Sequence, residues 1–349
     1  MIDLAASVKV TTWHALMWHA LIQTEEFSQR GRRERNMGEE TSRNRDRVFF
    51  VVNNRSGNAN EGLLRELVDQ KLVRRGIECH YFVREQKGQS RRKATRKALK
   101  EGFRTIVAVG GDGTVTKVAD EVQHVDGAIL GILPLGSANL LARGIDLPLD
   151  LESAVELLAE RPRIRRVDGM KVGTKTYFSH ISMGIYSDIT SQESKEQKQR
   201  LGKLAYLWPL FSEVRRQRSW KFTLDAPEIQ KQLRASLVMV ANVGDTGFRD
   251  VTWGAGVRPD DGRLDLCLIK GRSLGAYAGL FWKSLRGKIK DSPHAAFRKL
   301  ETEITIKADT NLPVRADGSL IGEREVHIRL IKDAVGIIAP AKDEIKQAS

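Results

Sequence analysis

The chain has 349 residues, enough for two domains that each bury a core, and its two cysteines, Cys79 and Cys267, are too few for a disulfide framework. They fit a reducing, cytoplasmic compartment. With 58 Lys plus Arg against 44 Asp plus Glu the formal charge is +14, which favours a polyanionic partner, and no apolar run approaches the roughly 18 residues that a membrane-spanning helix needs, so contact with an anionic membrane surface is expected to be peripheral.

Residues 1–46 read as an irregular leader, with an apolar stretch from Trp13 to Ile22 and a charge-dense run from Arg30 to Arg47. It lacks the basic start and small-residue cleavage site of a signal peptide, and a translation start at Met37 is the alternative reading. From Arg47 short β-branched runs alternate with helical stretches, the pattern of a parallel sheet covered on both faces. Strands are predicted at Val48 to Asn53, Ile77 to Val83, Thr105 to Val109 and Ala128 to Leu133. Helices are predicted at Glu61 to Arg75, Ser90 to Glu101, Thr114 to Gln123 and Leu151 to Glu160. This predicts a doubly wound α/β nucleotide-binding domain over residues 47–163, with ligands at the carboxyl ends of its strands.

Strands then follow one another, which predicts a mainly antiparallel β-sandwich over residues 164–332. They are expected at Ile164 to Val172, Thr176 to Ile185, Lys221 to Leu224, Ala235 to Ala241, Leu264 to Ile269, Glu303 to Ile306, Pro313 to Arg315 and Val326 to Leu330. Helical insertions are expected near Lys203 to Arg218 and Leu274 to Lys288, and residues 333–349 form a C-terminal segment that could return to the first domain.

Ile106 to Val109 runs into Gly110-Gly111-Asp112-Gly113-Thr114 and a helix. Glycines let backbone approach phosphate oxygens closely, and free amides at a helix start favour negative charge. A plain turn in which Asp112 caps the helix is the bland alternative. A second glycine turn, Gly136-Ser137-Ala138-Asn139, closes the next strand, and the first strand ends in Asn53-Asn54-Arg55-Ser56-Gly57. Ser137 and Asn139 can offer neutral hydrogen bonds to ribose or phosphate, and the three strand ends form one rim where such folds bind nucleotides.

These segments resemble the NPxSG, GGDGT and GTxND motifs of the diacylglycerol and sphingosine kinase catalytic-domain family, in its bacterial, YegS-like lipid kinase branch. The resemblance covers about residues 47–340 and implies an ATP-dependent lipid kinase. ATP would be contacted by Asn53, Ser56, Gly57, Gly110, Gly111, Asp112, Gly113, Thr114, Ser137 and Asn139. Arg258-Pro259-Asp260-Asp261-Gly262-Arg263-Leu264-Asp265 is similar to the family's DGxLD turn, where magnesium is held. Carried over, Asp261 supplies the carboxylate and Arg258 and Arg263 main-chain oxygens, while a metal-free turn is the alternative.

Asp317-Gly318-Ser319 resembles the family's DGE motif, whose glutamate is the general base; here the position is Ser319, and the aspartate of GTxND is Leu140. A serine hydroxyl cannot take up a proton at neutral pH as a carboxylate does. Asp112 and Asp317 are therefore the predicted catalytic aspartates, with Glu323 as a substitute base. An NAD kinase, or a non-catalytic nucleotide- or lipid-binding regulator, are the alternatives. Leu201 to Trp220 reads as an interfacial helix or as one packed on the sandwich. The charge run Arg91, Arg92, Lys93, Arg96, Lys97 and Lys100 reads as a solvated helix face with no interleaved aromatics, so nucleic acid is not an expected partner. Assembly is left open, a homodimer included.

Overall fold

The strand Arg47–Val52 (β1) buries Val48, Phe50, Val51 and Val52, a near-continuous apolar run as expected of a strand covered on both faces. A computed structural model of the chain describes residues 47–53, 61–84, 89–184, 219–246, 256–271, 273–286 and 289–341, and the described residues from Val48 on belong to one compact unit. The predicted leader, Asn54, Arg55, Ser56, Gly57 and the Lys203 to Arg218 insertion lie outside the described residues.

The first region alternates β1, helix Glu61–Lys71 (α1), Glu78–Val83 (β2), Arg91–Lys100 (α2), Thr105–Gly110 (β3), Asp112–Val122 (α3) and Ile129–Pro134 (β4). The short helix Leu140–Gly144 (α4) and Leu151–Glu160 (α5) follow. β3 is buried at every residue and pairs in parallel with both β1 and β4. α3 begins at Asp112 rather than at the predicted Thr114, because Gly111 is still extended (φ −90°) and the first-turn carboxylate suits the helix dipole.

The second region holds Arg163–Val172 (β5), Lys175–Tyr177 (β6), His180–Gly184 (β7), Trp220–Ala226 (β8), Ile229–Ala235 (β9), Leu237–Ala241 (β10) and Leu264–Ile269 (β11). After helix Leu274–Leu285 (α6) come Ala295–Leu300 (β12), Glu303–Ala308 (β13), Pro313–Ala316 (β14), Ser319–Glu323 (β15) and Glu325–Ala339 (β16). One sheet runs β12-β11-β10-β7-β14-β15 and the other β2-β1-β3-β4-β16-β13-β8-β9. Phe222, Ile304 and Ile328 of the second sheet share a buried core with Ile181, Val238 and Leu266 of the first, so the two sheets pack face to face.

Three strands were not predicted: β9, β12 and β15. Each lies at a sheet edge, where only one neighbour is bonded and polar residues are tolerated, so none shows a long apolar run. Thr176 to Ile185 is two strands, not one. β16 is three times the predicted five residues, 15 in all, because it carries on past an irregular register between Ile331 and Val335. Beyond that break it pairs in parallel with β4 through Gly336 and Ile337, so one sheet is continuous across both regions.

Candidate functional site

The two glycine turns meet backbone to backbone. A Cβ on Gly136 would lie 2.5 Å from the Gly111 Cα and 2.7 Å from Asn139 Oδ1, so both positions admit only glycine. Gly110 (φ +154°) closes β3 in a conformation that side chains rarely adopt, and a Cβ there would sit 2.8 Å from Thr114 Oγ1. The chain needs these glycines because β3 and β4 are adjacent strands that turn at the same level of the sheet.

Asp112 is the clamp between the turns. Its carboxylate accepts from the main-chain N–H of Leu140 at 2.6 Å and of Asn139 at 3.0 Å. Burial pushes the Asp112 carboxyl above the usual range; the Leu140 and Asn139 amides pull it down, and the Asp317 carboxylate adds to the rise. Asn139, at φ 50°, folds its own turn: Oδ1 accepts from Gly136 N at 2.9 Å, and Nδ2 donates to the carbonyls of Gly136 and Pro134. Its amide is thereby committed to the loop rather than to a nucleotide. Ser137 is exposed beside it, Thr114 is buried with its hydroxyl accepting from Arg91 Nη1 at 2.8 Å, and the Asn53 N–H donates to Val109 O at 3.0 Å.

Asp317 and Gly318 both have positive φ (46° and 76°), the tight hairpin between β14 and β15. The Asp317 carboxylate accepts from Thr116 Oγ1 at 2.6 Å and from the main-chain N–H groups of Phe178 (2.9 Å), Ser179 (3.0 Å) and His180 (3.1 Å). Four donors saturate it, so it ties α3 to the start of β7 and has no oxygen open to take a proton from a substrate. This departs from the predicted catalytic role. Burial lowers the His180 imidazole pKa, with the Asp317 carboxylate opposing, and holds that ring neutral. Asp112 and Asp317 are thus brought close, but as supports.

Between α3 and the hairpins β5–β6 and β14–β15 opens a cleft of about 460 Å³ lined by Gly113, Thr116, Lys117, Lys175, Ser319 and Leu320 among others. Ser319 stands on its wall, where the resemblance expects a carboxylate. Leu140, at the other departure, is buried. Lys117 and Lys175 went unnoticed in the sequence, and Arg92 was read only as part of a charged helix face, because their grouping depends on which way α3 and two hairpins face. The helix read as a solvated charged face is so at Lys93, Arg96, Lys97 and Lys100, which are exposed, whereas its start is docked: Arg92 Nη1 pairs with Asp120 and Arg91 reaches Thr114.

The residues of the Asp260-Asp261-Gly262 turn do not fit the expected magnesium. Asp261 Oδ1 accepts from the Arg263 N–H at 3.1 Å, and Oδ2 accepts from Lys299 Nζ at 2.8 Å. The same ammonium donates to Asp265 Oδ2 at 2.8 Å and to Gly256 O at 3.4 Å. Burial works against the Lys299 charge, yet the two carboxylates outweigh it and raise its pKa. A lysine cation therefore occupies the oxygen donors that a divalent ion would need, and among the described residues no group of three or more His, Cys, Asp or Glu is placed to hold a metal. Arg258 is engaged with Asp260 and Arg263 with Glu301, so neither side chain leaves the turn short of charge. Asp168, also unpredicted, anchors the turn by accepting from Gly262 N at 2.7 Å and Asp333 N at 2.9 Å. Its sequence signal is weak, a single carboxylate in a strand that also carries Arg163, Arg165, Arg166 and Lys171.

Comparison with known proteins gives two family models: the diacylglycerol kinase catalytic domain over residues 47–172 and the YegS C-terminal NAD kinase beta sandwich-like domain over residues 179–339. A Pseudomonas aeruginosa protein named "Probable lipid kinase YegS-like" is 28% identical over 307 residues, covering 85% of this chain and 95% of its own. A Staphylococcus saprophyticus diacylglycerol kinase is 23% identical over 300 residues, covering 85% and 96%. The crystal structure of a diacylglycerol kinase from Bacillus anthracis superposes with a TM-score of 0.65 at 19% identity, covering 84% of this chain and 97% of that one, which shows a common fold.

Proposed function

The chain belongs to the bacterial YegS-like lipid kinase family with a diacylglycerol kinase catalytic domain, and from that premise we propose that it transfers the γ-phosphate of ATP to a lipid hydroxyl. The abutting glycine turns at the ends of β3 and β4 carry the reading. Gly111 and Gly136 place no side chain at either turn, α3 starts directly after Gly111 with its dipole's positive end there, and Asp112 holds the two turns at one spacing. The acceptor oxygen attacks the γ-phosphorus, the bond to the bridging β-γ oxygen breaks, ADP leaves, and the hydroxyl proton passes to solvent.

Through a loose transition state this transfer depends mainly on position and charge, so a cleft without a free carboxylate supports it at reduced rate. Magnesium, when bound with the nucleotide, would neutralise charge on its phosphates. Incubation with γ-labelled ATP and extracted lipids, followed by thin-layer separation, tests the reading, and absence of any labelled lipid defeats it. Ser319→Glu is expected to raise turnover of a neutral acceptor by about a hundredfold, the low side of what a positioned base supplies. An unchanged zero rate in both proteins, with ATP still bound, would favour a nucleotide-binding regulator.

A further inference from the structure

An arginine that only ties elements together answers a carboxylate, as Arg92 does with Asp120 and Arg96 with Glu121. Two arginines at the carboxyl ends of the strands do not. Arg84 directly follows β2, where its main-chain N–H donates to Val52 O at 3.0 Å, so it stands beside the end of β1. Its Nε is buried and meets no acceptor among the described residues. Arg91 opens α2, half-buried, and its Nη1 donates to Thr114 Oγ1 at 2.8 Å, so this guanidinium touches the Gly110 to Thr114 turn itself. Burial and then the Arg84 charge lower the Arg91 pKa, and no carboxylate opposes them. Lys117 stands one turn along α3 from Thr114 and is lowered in the same way, by burial and then by Arg91, Arg92, Arg84 and Lys175.

Holding like charges half-buried and side by side costs free energy, and a buried N–H without an acceptor adds to the cost. An oxyanion at the turn relieves both. The place is where β1, β2 and β3 end, the edge at which folds of this kind bind phosphate, and a guanidinium matches phosphate oxygens with paired donors. The side chains there suit a phosphate better than a metal: the Asp112 carboxylate faces the Asn139 and Leu140 amides, and Leu140 itself stands where the resemblance expects an aspartate. We propose that Arg84 and Arg91, with Lys117, form a cationic clamp that holds the triphosphate directly, so that ATP binding does not require a divalent ion; this rests on the nucleotide site of the lipid kinase reading and names the groups that neutralise its phosphates.

The test titrates ATP calorimetrically into the full-length protein, once in magnesium and once in EDTA. Affinity in EDTA is expected to lie within about tenfold of that in magnesium, because the cations of the clamp are already in place. Arg84→Gln and Arg91→Gln should each weaken ATP in EDTA by about tenfold, the worth of one charged hydrogen bond. Arg84→Gln gives up no protein partner and relieves repulsion, so without nucleotide it should melt no lower than the unaltered protein. Arg84→Lys, which keeps the charge, should recover part of the lost affinity. If Arg91→Gln does not fold, Arg84→Gln, at the half-exposed end of its strand, decides alone. A larger loss on moving the unaltered protein to EDTA overturns the clamp and leaves the kinase reading with a metal-dependent nucleotide. Unchanged ATP affinity in Arg84→Gln, with or without a lower melting temperature, overturns it as well. No binding of ATP in either buffer removes the nucleotide site and the clamp together.

Discussion

Asp317 shows how a residue in a motif can be conscripted by the fold. Its carboxylate accepts four hydrogen bonds from two segments, Thr116 and Phe178 to His180, both far from it in sequence, so each acceptor lone pair has a task. Asp317→Asn turns one oxygen into a donor facing buried N–H groups. It is expected to cost about 2–3 kcal/mol, the penalty of leaving buried donors unpaired, read from a denaturant midpoint shift with the slope unchanged. A variant with wild-type stability and no activity would return Asp317 to a chemical role. The two positions where the resemblance fails, Leu140 and Ser319, differ in kind: Leu140 is buried and packs, whereas Ser319 borders the open cleft. Only the second is a place where a restored carboxylate would face the cleft.

At the scale of elements, two turns decide the chemistry. Gly136→Ala drives a methyl to 2.5 Å from the Gly111 Cα, backbone against backbone, with no flexible side chain to yield. The turns must separate, and the expected result is a loss of roughly 1–3 kcal/mol of stability together with loss of ATP binding by calorimetry. Retained ATP affinity would show that the nucleotide does not use this spacing. The Asp261 turn carries its own cation in Lys299. Its melting temperature in EDTA and in millimolar magnesium, without nucleotide, should therefore agree. Lys299→Met leaves Asp261 and Asp265 facing each other with no counter-charge, should melt lower, and should regain stability with magnesium. A clear magnesium-induced rise in the unaltered protein would put the metal back.

On the scale of the molecule, β16 joins the regions. It pairs with β13 and β5 along one stretch and with β4 along another, placing the last strand of the chain inside the sheet that carries the glycine turns. Val335, Ile337, Ile338 and Ala339 are buried in the first core. Denaturation monitored by near- and far-ultraviolet dichroism should therefore follow a single transition, and truncation after Lys332 should abolish it because β4 loses the strand on one side and β5 loses its pairing with Val335 to Ala339. Two separated transitions in the intact protein would mean that the regions fold alone.

Much of this was legible in the residues themselves. The strand–glycine–helix order at Gly110 to Thr114 could be read because backbone conformation there depends on neighbours in the chain, as do the buried strands β3, β10 and β11 and the helix Leu151–Glu160. Edge strands β9, β12 and β15 could not, since one-sided pairing leaves no long apolar run. Tertiary structure alone decided that Lys299 meets Asp261, that Asp317 spends its charge on amides of a distant strand, and that Lys117 and Lys175 share a cleft. Charges act through space within a few ångströms, and only folding determines which charges come that near.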